Sequence, residues 1–120
     1  MVEIGVDCEE ISRFHKMISS RKLSLKIFTE KELSYCTSKS NPEQHLAVRY
    51  TGKEAVIKSL SPLGIDLHLN EVEILNDKKG IPRVNIKRKN VFCSIKLSLS
   101  HSRNYAFAVA LTEEGEENKH

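Results

Sequence analysis

Two hydrophobic periods divide the chain. Val2, Ile4 and Val6 alternate with Glu3, Gly5 and Asp7, a spacing of two that predicts a short strand with one face inward. From Asp7 the period lengthens. Cys8, Ile11, Phe14, His15 and Ile18 fall three or four apart, as on the buried face of a helix, and Asp7 with Glu10 has the spacing of a capping box. Phe28-Thr29-Glu30-Lys31-Glu32-Leu33 predicts a second, short helix, with Thr29 and Glu32 in the same relation. Asn41-Pro42-Glu43-Gln44 opens a third, long one, because Asn suits the cap and Pro the first turn. It should run to about Leu60, where Ser61-Pro62-Leu63-Gly64 ends it. Within it Leu46, Tyr50, Ile57 and Leu60 share one stripe, and Lys53 interrupts that stripe with a charge.

The second half returns to a period of two. Val72 and Ile74 lead through the turn Asn76-Asp77-Lys78-Lys79-Gly80 to Val84 and Ile86, the pattern of a hairpin. Ile95, Leu97 and Leu99 then alternate with serines and Lys96. Tyr105, Phe107, Val109 and Leu111 alternate with Ala106, Ala108 and Ala110, which are small enough to let a helix lie close. One strand, three helices and four strands predict an α+β domain over residues 1–111, its mostly antiparallel sheet packed on the long helix. An acidic tail, 112–120, follows.

Composition narrows the class. At 120 residues the chain suits one domain, and 39% hydrophobic with 29% charged residues is ordinary for a globular protein. No apolar run approaches the ~18 residues of a membrane-crossing helix, and the start lacks the pattern of a signal peptide. The expectation is a cytoplasmic protein with no membrane partner. Cys8, Cys36 and Cys93 are an odd number without C-x-x-C spacing, and read as small buried residues of a reducing compartment. The tail takes four of the 16 acids and one of the 19 bases, leaving a body charged +6 that suits an anionic partner. With no Trp, 6% aromatics and no recognition motif, that partner is not expected to be a nucleic acid.

Three segments carry candidate chemistry. Asp7 stands at the end of the first strand, Lys53-Glu54-Ala55-Val56-Ile57-Lys58 forms a turn of the long helix, and Leu97-Ser98-Leu99-Ser100-His101 ends in a histidine. Two carboxylates for a hard cation and two ammonium groups for phosphate charge suit reactions of a pyrophosphate. Each piece also has a plain structural reading. Asp7 suits an N-cap, Glu54 and Lys58 an i, i+4 ion pair, Lys53 a stem reaching for water, and His101 a loop.

The order and wording of the segments resemble the holo-[acyl-carrier-protein] synthases, the small bacterial type of 4′-phosphopantetheinyl transferase. Gly5-Val6-Asp7 with Glu10 and Arg13 is similar to the family's G-[IVL]-D-x-x-E-[IL]-x-R, and residues 28–33 to its L-T-E-x-E-L. Leu46-Ala47-Val48-Arg49-Tyr50-Thr51-Gly52-Lys53-Glu54-Ala55 with Lys58 resembles L-A-G-R-[FW]-A-A-K-E-A-x-x-K. Gly80-Ile81-Pro82 matches G-x-P, and residues 98–106 match S-[IL]-[ST]-H-x-x-x-Y-A.

The resemblance implies transfer of 4′-phosphopantetheine from coenzyme A to a serine of apo-acyl carrier protein, with release of adenosine 3′,5′-bisphosphate. It implies Mg²⁺ on Asp7 and Glu54, proton removal by Glu54, and Lys58, with Lys53 nearby, on the leaving phosphate. Arg49, Pro82, His101 and Ser102 would line the nucleotide end, and Gly64 the loop that approaches the phosphates. Arg13, Arg21, Lys22 and Lys26 would face the acidic helix of the carrier protein. A homotrimer with sites between subunits is also implied. Two departures stand out: Thr51-Gly52 replaces two alanines, and Ser61-Pro62-Leu63-Gly64-Ile65-Asp66 replaces a more glycine-rich loop. The second motivates an alternative, a non-catalytic relative that binds coenzyme A or a carrier protein.

Overall fold

In the computed structural model, which describes residues 1–115, one helix organises the rest. The described elements, in chain order, are β1 (Val2–Glu10), α1 (Arg21–Ser24), α2 (Glu30–Thr37), α3 (Pro42–Leu60), β2 (Val72–Asn76), β3 (Pro82–Ile86), β4 (Cys93–His101) and β5 (Tyr105–Glu114). Strands β1, β5 and β4 form an antiparallel sheet in that order, while β2 and β3 pair as a separate antiparallel hairpin.

Helix α3 lies on the face of the sheet that carries Gly5, Ala106, Ala108 and Ala110, all buried. Small side chains there let the helix approach the strands closely. The inward face of the first strand is therefore the one that carries Gly5 and Asp7, and not its apolar face. Val2, Ile4 and Val6 point away from the helix and are exposed, as are Tyr105, Phe107, Val109 and Leu111 on the same outer face.

The helix predicted from Cys8 does not form. Strand β1 runs on through Asp7 to Glu10, because Cys8, Glu9 and Glu10 find partners in Phe107, Ala106 and Tyr105 of β5. Asp7 is thus a strand residue with no capping role. Short 3₁₀ turns at Ile11–Phe14 and Met17–Ser19 follow, and their three-residue period still buries Ile11 and Phe14 while His15 and Ile18 stay exposed.

The other two helices follow the pattern. Thr29 and Glu32 cap α2 reciprocally, Oγ1 of Thr29 accepting from Glu32 N and the Glu32 carboxylate accepting from Thr29 N. Pro42 begins α3 after Asn41, whose side chain makes no capping bond. The Thr51-Gly52 departure is absorbed by packing. Thr51 is buried and donates to Ala47 O at 2.6 Å. A Cβ on Gly52 would stand 2.8 Å from Ile74 Cδ1 and 3.0 Å from Leu99 Cδ2, so the glycine admits the hairpin and β4 onto the helix.

Strand β5 continues past residue 111. Thr112 is fully buried, its hydroxyl 2.6 Å from that of Ser59, and Glu113 and Glu114 pair on β1 and β4. The domain boundary expected at 111 is therefore too early, and residues 116–120 of the expected tail lie outside the described residues. Cys36 is fully buried and its thiol is pushed up to about 11, chiefly by burial. Cys93 is half-buried, and Cys8, expected inside, is exposed.

Candidate active site

Gly5 decides where Asp7 goes. A Cβ on Gly5 would overlap the carbonyl oxygen of Ala55 and stand 2.8 Å from Ser59 N, so only glycine lets β1 lie this close to α3. Two residues on, Asp7 falls on the same inward face and its Oδ1 accepts from Lys58 Nζ at 3.0 Å. Lys58 also donates to Val6 O at 3.1 Å. The side chain of Asp7 is only 11% exposed, and its Oδ2 is buried without a hydrogen-bond partner among the described residues.

Glu54 sits one helical turn before Lys58. Burial, and then the charge of Asp7, raise its pKa above the usual carboxylate value, while Lys58 and Arg13 pull it down. The Lys58 ammonium is held charged to higher pH, chiefly by its hydrogen bond to Asp7. Glu9 joins this group, on the inward face of β1 two residues beyond Asp7. Its pKa is raised mainly by burial, with Arg13 opposing and Asp7 adding. Sequence reasoning missed Glu9 because it continued a helix where the strand continues.

Among the described residues no three His, Cys, Asp or Glu side chains are grouped to hold a metal ion by themselves. Asp7 and Glu54 nevertheless suit a hard cation that takes one or two carboxylates and completes its shell with water and phosphate oxygens. The orphaned, buried Oδ2 of Asp7 is the atom that fits it.

A cleft of about 300 Å³ opens between α2, α3, the β2–β3 hairpin and β4. Its walls include Tyr35, Gln44, Arg49, Asn76, Pro82 and His101. Arg49 is 2% exposed, and its Nε and Nη2 have no partner among the described residues. Its guanidinium lies over the Tyr35 ring, 4.4 Å from the centroid, and Nη1 reaches His45 O at 3.5 Å. A buried cation with free donors is costly unless an anion meets it. At the cleft mouth His101 spans Gln44, with Nε2 3.1 Å from the amide nitrogen, and the carbonyl of Ser102, 3.3 Å from Nδ1.

The other expected residues divide. The Ser102 hydroxyl accepts from Tyr105 N at 3.2 Å in the turn between β4 and β5, and Ser102 is not among the cleft walls. Gly64 has φ 78°, the left-handed region that favours glycine, and closes the 3₁₀ turn Ser61–Leu63 after α3. Arg13 pairs with Glu9 and lies 5.8 Å over the Tyr50 ring, and Arg21 pairs with Glu30 at 2.9 Å. Lys22 and Lys26 are exposed in the same segment.

Lys53 corrects the expectation of a phosphate contact. It is 0% exposed and its ammonium turns inward to Glu32 Oε1, 2.7 Å away, because Glu32 is buried beside it on α2. Burial lowers its pKa while Glu32 opposes that shift.

At about 100° per residue, Glu54 lies about 140° and Lys58 about 180° around α3 from Arg49. One chain therefore presents the acid–lysine group and the arginine cleft on opposite sides of the same helix.

The α+β fold, with an acid–lysine group on one side of α3 and an arginine cleft on the other, is that of a class of transferases. The chain belongs to the 4′-phosphopantetheinyl transferase superfamily, whose profile matches residues 3–110. It is 41% identical over 121 aligned positions to the holo-[acyl-carrier-protein] synthase of Chlamydia trachomatis serovar D, covering 94% of this chain and all of that one. With the namesake of Chloroherpeton thalassium it shares 37% identity over 93% of this chain and 98% of the relative. Among solved structures, the Bacillus anthracis holo-(acyl-carrier-protein) synthase in complex with CoA (3′,5′-ADP) superposes with TM-score 0.78 at 28% identity, over 94% and 96% of the two chains. The Chronobacterium ammoniagenes ACPS–CoA complex gives 0.81 at 25% identity, over 97% and 99%.

Proposed function

We propose that this protein transfers 4′-phosphopantetheine from coenzyme A to a serine of an apo-acyl carrier protein, releasing adenosine 3′,5′-bisphosphate. The observation that carries the reading is the convergence of Asp7 and Lys58, with Glu54 in their field, beside an orphaned buried carboxylate oxygen. Asp7 and Glu54 would hold Mg²⁺, which when bound supplies positive charge to the pyrophosphate oxygens. The serine oxygen attacks the phosphorus that bears the pantetheine arm, and the bond from that phosphorus to the bridging oxygen breaks. The serine proton passes to Glu54, whose raised pKa suits it to accept one. Lys58 meets the charge left on the departing nucleotide phosphate.

The nucleotide belongs in the cleft of Arg49, Pro82 and His101, and Ser102 follows His101 in the turn beyond it. Gly64 lies in the turn just beyond Lys58 and would admit the phosphates. Because the two half-sites lie on opposite sides of α3, a single coenzyme would be gripped by two copies of the chain. The exposed apolar face of Val2, Ile4, Val6, Phe107, Val109 and Leu111 supports assembly through the sheet, as a homotrimer with sites between subunits. Arg13, Arg21, Lys22 and Lys26 would receive the acidic helix of the carrier protein. No described helix is long and apolar enough to cross a membrane, and the cytoplasm is the proposed place of work.

The test is incubation with coenzyme A, Mg²⁺ and an apo-carrier protein, followed by mass spectrometry of the carrier. Attachment of the arm with equimolar adenosine 3′,5′-bisphosphate is expected. Tight coenzyme binding with no transfer to any carrier tried would instead identify a binding protein.

A further inference from the structure

Among the described residues Lys53 is the largest fully buried polar side chain that the proposed reaction leaves unused, and its contacts tie its own helix to two more of the four walls of the arginine cleft, α2 and the β2–β3 hairpin. Its ammonium donates to Leu69 O at 3.0 Å, to Val72 O at the start of β2, and pairs with Glu32 Oε1 on α2 at 2.7 Å. The second oxygen of Glu32 accepts from Ile74 N at 2.7 Å, tying α2 to β2 directly. Thr29, which caps α2, donates to Glu73 Oε2 at 2.6 Å, and Glu73 is in turn held by Asn85 and Lys87 of the hairpin and its exit.

Three residues of this network lie a short step from a cleft residue on the same element. Arg49 is one turn before Lys53 on α3, Tyr35 one turn after Glu32 on α2, and Asn76 two residues after Ile74 on the same face of β2. Asn76 closes the circuit by donating to Tyr35 Oη at 3.3 Å. The fourth wall, β4, reaches α3 at the glycine beside Lys53.

We infer that Lys53 is a positioning residue for the arginine cleft, its buried ammonium fixing α2 and the β2–β3 hairpin against α3 so that Tyr35, Arg49 and Asn76 hold their places around the ligand. Nothing in its surroundings leaves a donor for the phosphates. The inference rests on reading the cleft as the nucleotide site.

The decisive experiment compares wild type with the double variant Lys53→Met/Glu32→Gln, which removes both buried charges so that neither is left unpaired. Retained cooperative unfolding is expected. KM for coenzyme A and Kd for adenosine 3′,5′-bisphosphate should rise about tenfold, with kcat within about twofold and Mn²⁺ affinity unchanged. A folded variant with unaltered KM and Kd overturns the inference, and so does a fall in kcat at constant KM. If the variant does not fold, reductive methylation of the native protein decides. Lys53 should resist modification with and without coenzyme A while Lys58 is modified in its absence, and protection of a reactive Lys53 by coenzyme A overturns the inference. Wild type that binds neither nucleotide refutes the reading of the cleft instead.

Discussion

Asp7 and Lys58 meet at 3.0 Å although 51 positions separate them in the chain, one on an inward strand face and the other near the end of the long helix. Their contact holds the lysine charged and leaves one oxygen of the aspartate free for a further positive partner. Replacing Asp7 by Asn preserves shape and removes the charge. Turnover should fall by about 10²–10³-fold while far-ultraviolet circular dichroism stays native. Steady-state transfer to an apo-carrier measures it, and wild-type turnover would remove Asp7 from the cation site.

Gly5→Ala tests how the aspartate is delivered. The added methyl meets the Ala55 carbonyl and Ser59 N, both backbone, so β1 must shift away from α3. Overpacking of this kind costs about 1–3 kcal/mol. Urea unfolding should show that loss, and activity should drop further than stability because Asp7 moves with the strand.

The pH dependence follows from Glu54. Its folded pKa is raised, so it binds a proton more tightly folded than unfolded. Relative to a non-titrating Glu54→Gln variant, wild type should gain stability as the pH falls through that raised value and lose it on the way back up. Thermal melts of the two proteins between pH 4 and 7 (about the carboxylate range) check the sign. Transfer activity should decline on the acid side at a higher pH than an ordinary carboxylate would give. Lys58, raised rather than lowered, stays charged through neutrality and contributes nothing to that decline.

Arg49→Met removes a buried guanidinium whose Nε and Nη2 have no partner among the described residues. The melting temperature should hold or rise, since no buried partner is stranded, while KM for coenzyme A rises at least about tenfold. Calorimetric titration with adenosine 3′,5′-bisphosphate gives the affinity directly.

Val109→Glu places a charge in the centre of the exposed sheet face, where Val109 pairs with Val6 and Ser98. Sedimentation should show the proposed trimer of the wild type replaced by a monomer, and transfer activity should disappear with it even though Val109 is not a proposed site residue. Activity in a monomeric variant would mean that one chain holds the whole site.

The long helix, the capped short helix, the hairpin and the last two strands were all legible in spacing and caps. These are features in which a residue's immediate neighbours fix the outcome. Residues 8–18 were not, because their three-and-four spacing suits a 3₁₀ turn as well as an α-helix, and the pairing of Glu9 and Glu10 on β5 decided between them. Asp7, Glu54 and Lys58 were legible as candidates, Lys53 could not be told apart from them by residue type, and Glu9 was hidden behind the wrong period.

By itself the sequence determined the α+β class, the order of elements and the motifs that carry the family's chemistry, since each depends on local periodicity or residue type. Only the tertiary structure decided which face of the first strand is inside, because the alanines of β5 admit α3 where Val2, Ile4 and Val6 would hold it off. It also decided that Lys53 and Lys58, both basic and on one helix, point to different ends. One finds a buried glutamate and two carbonyls within reach, and the other finds Asp7 and open solvent.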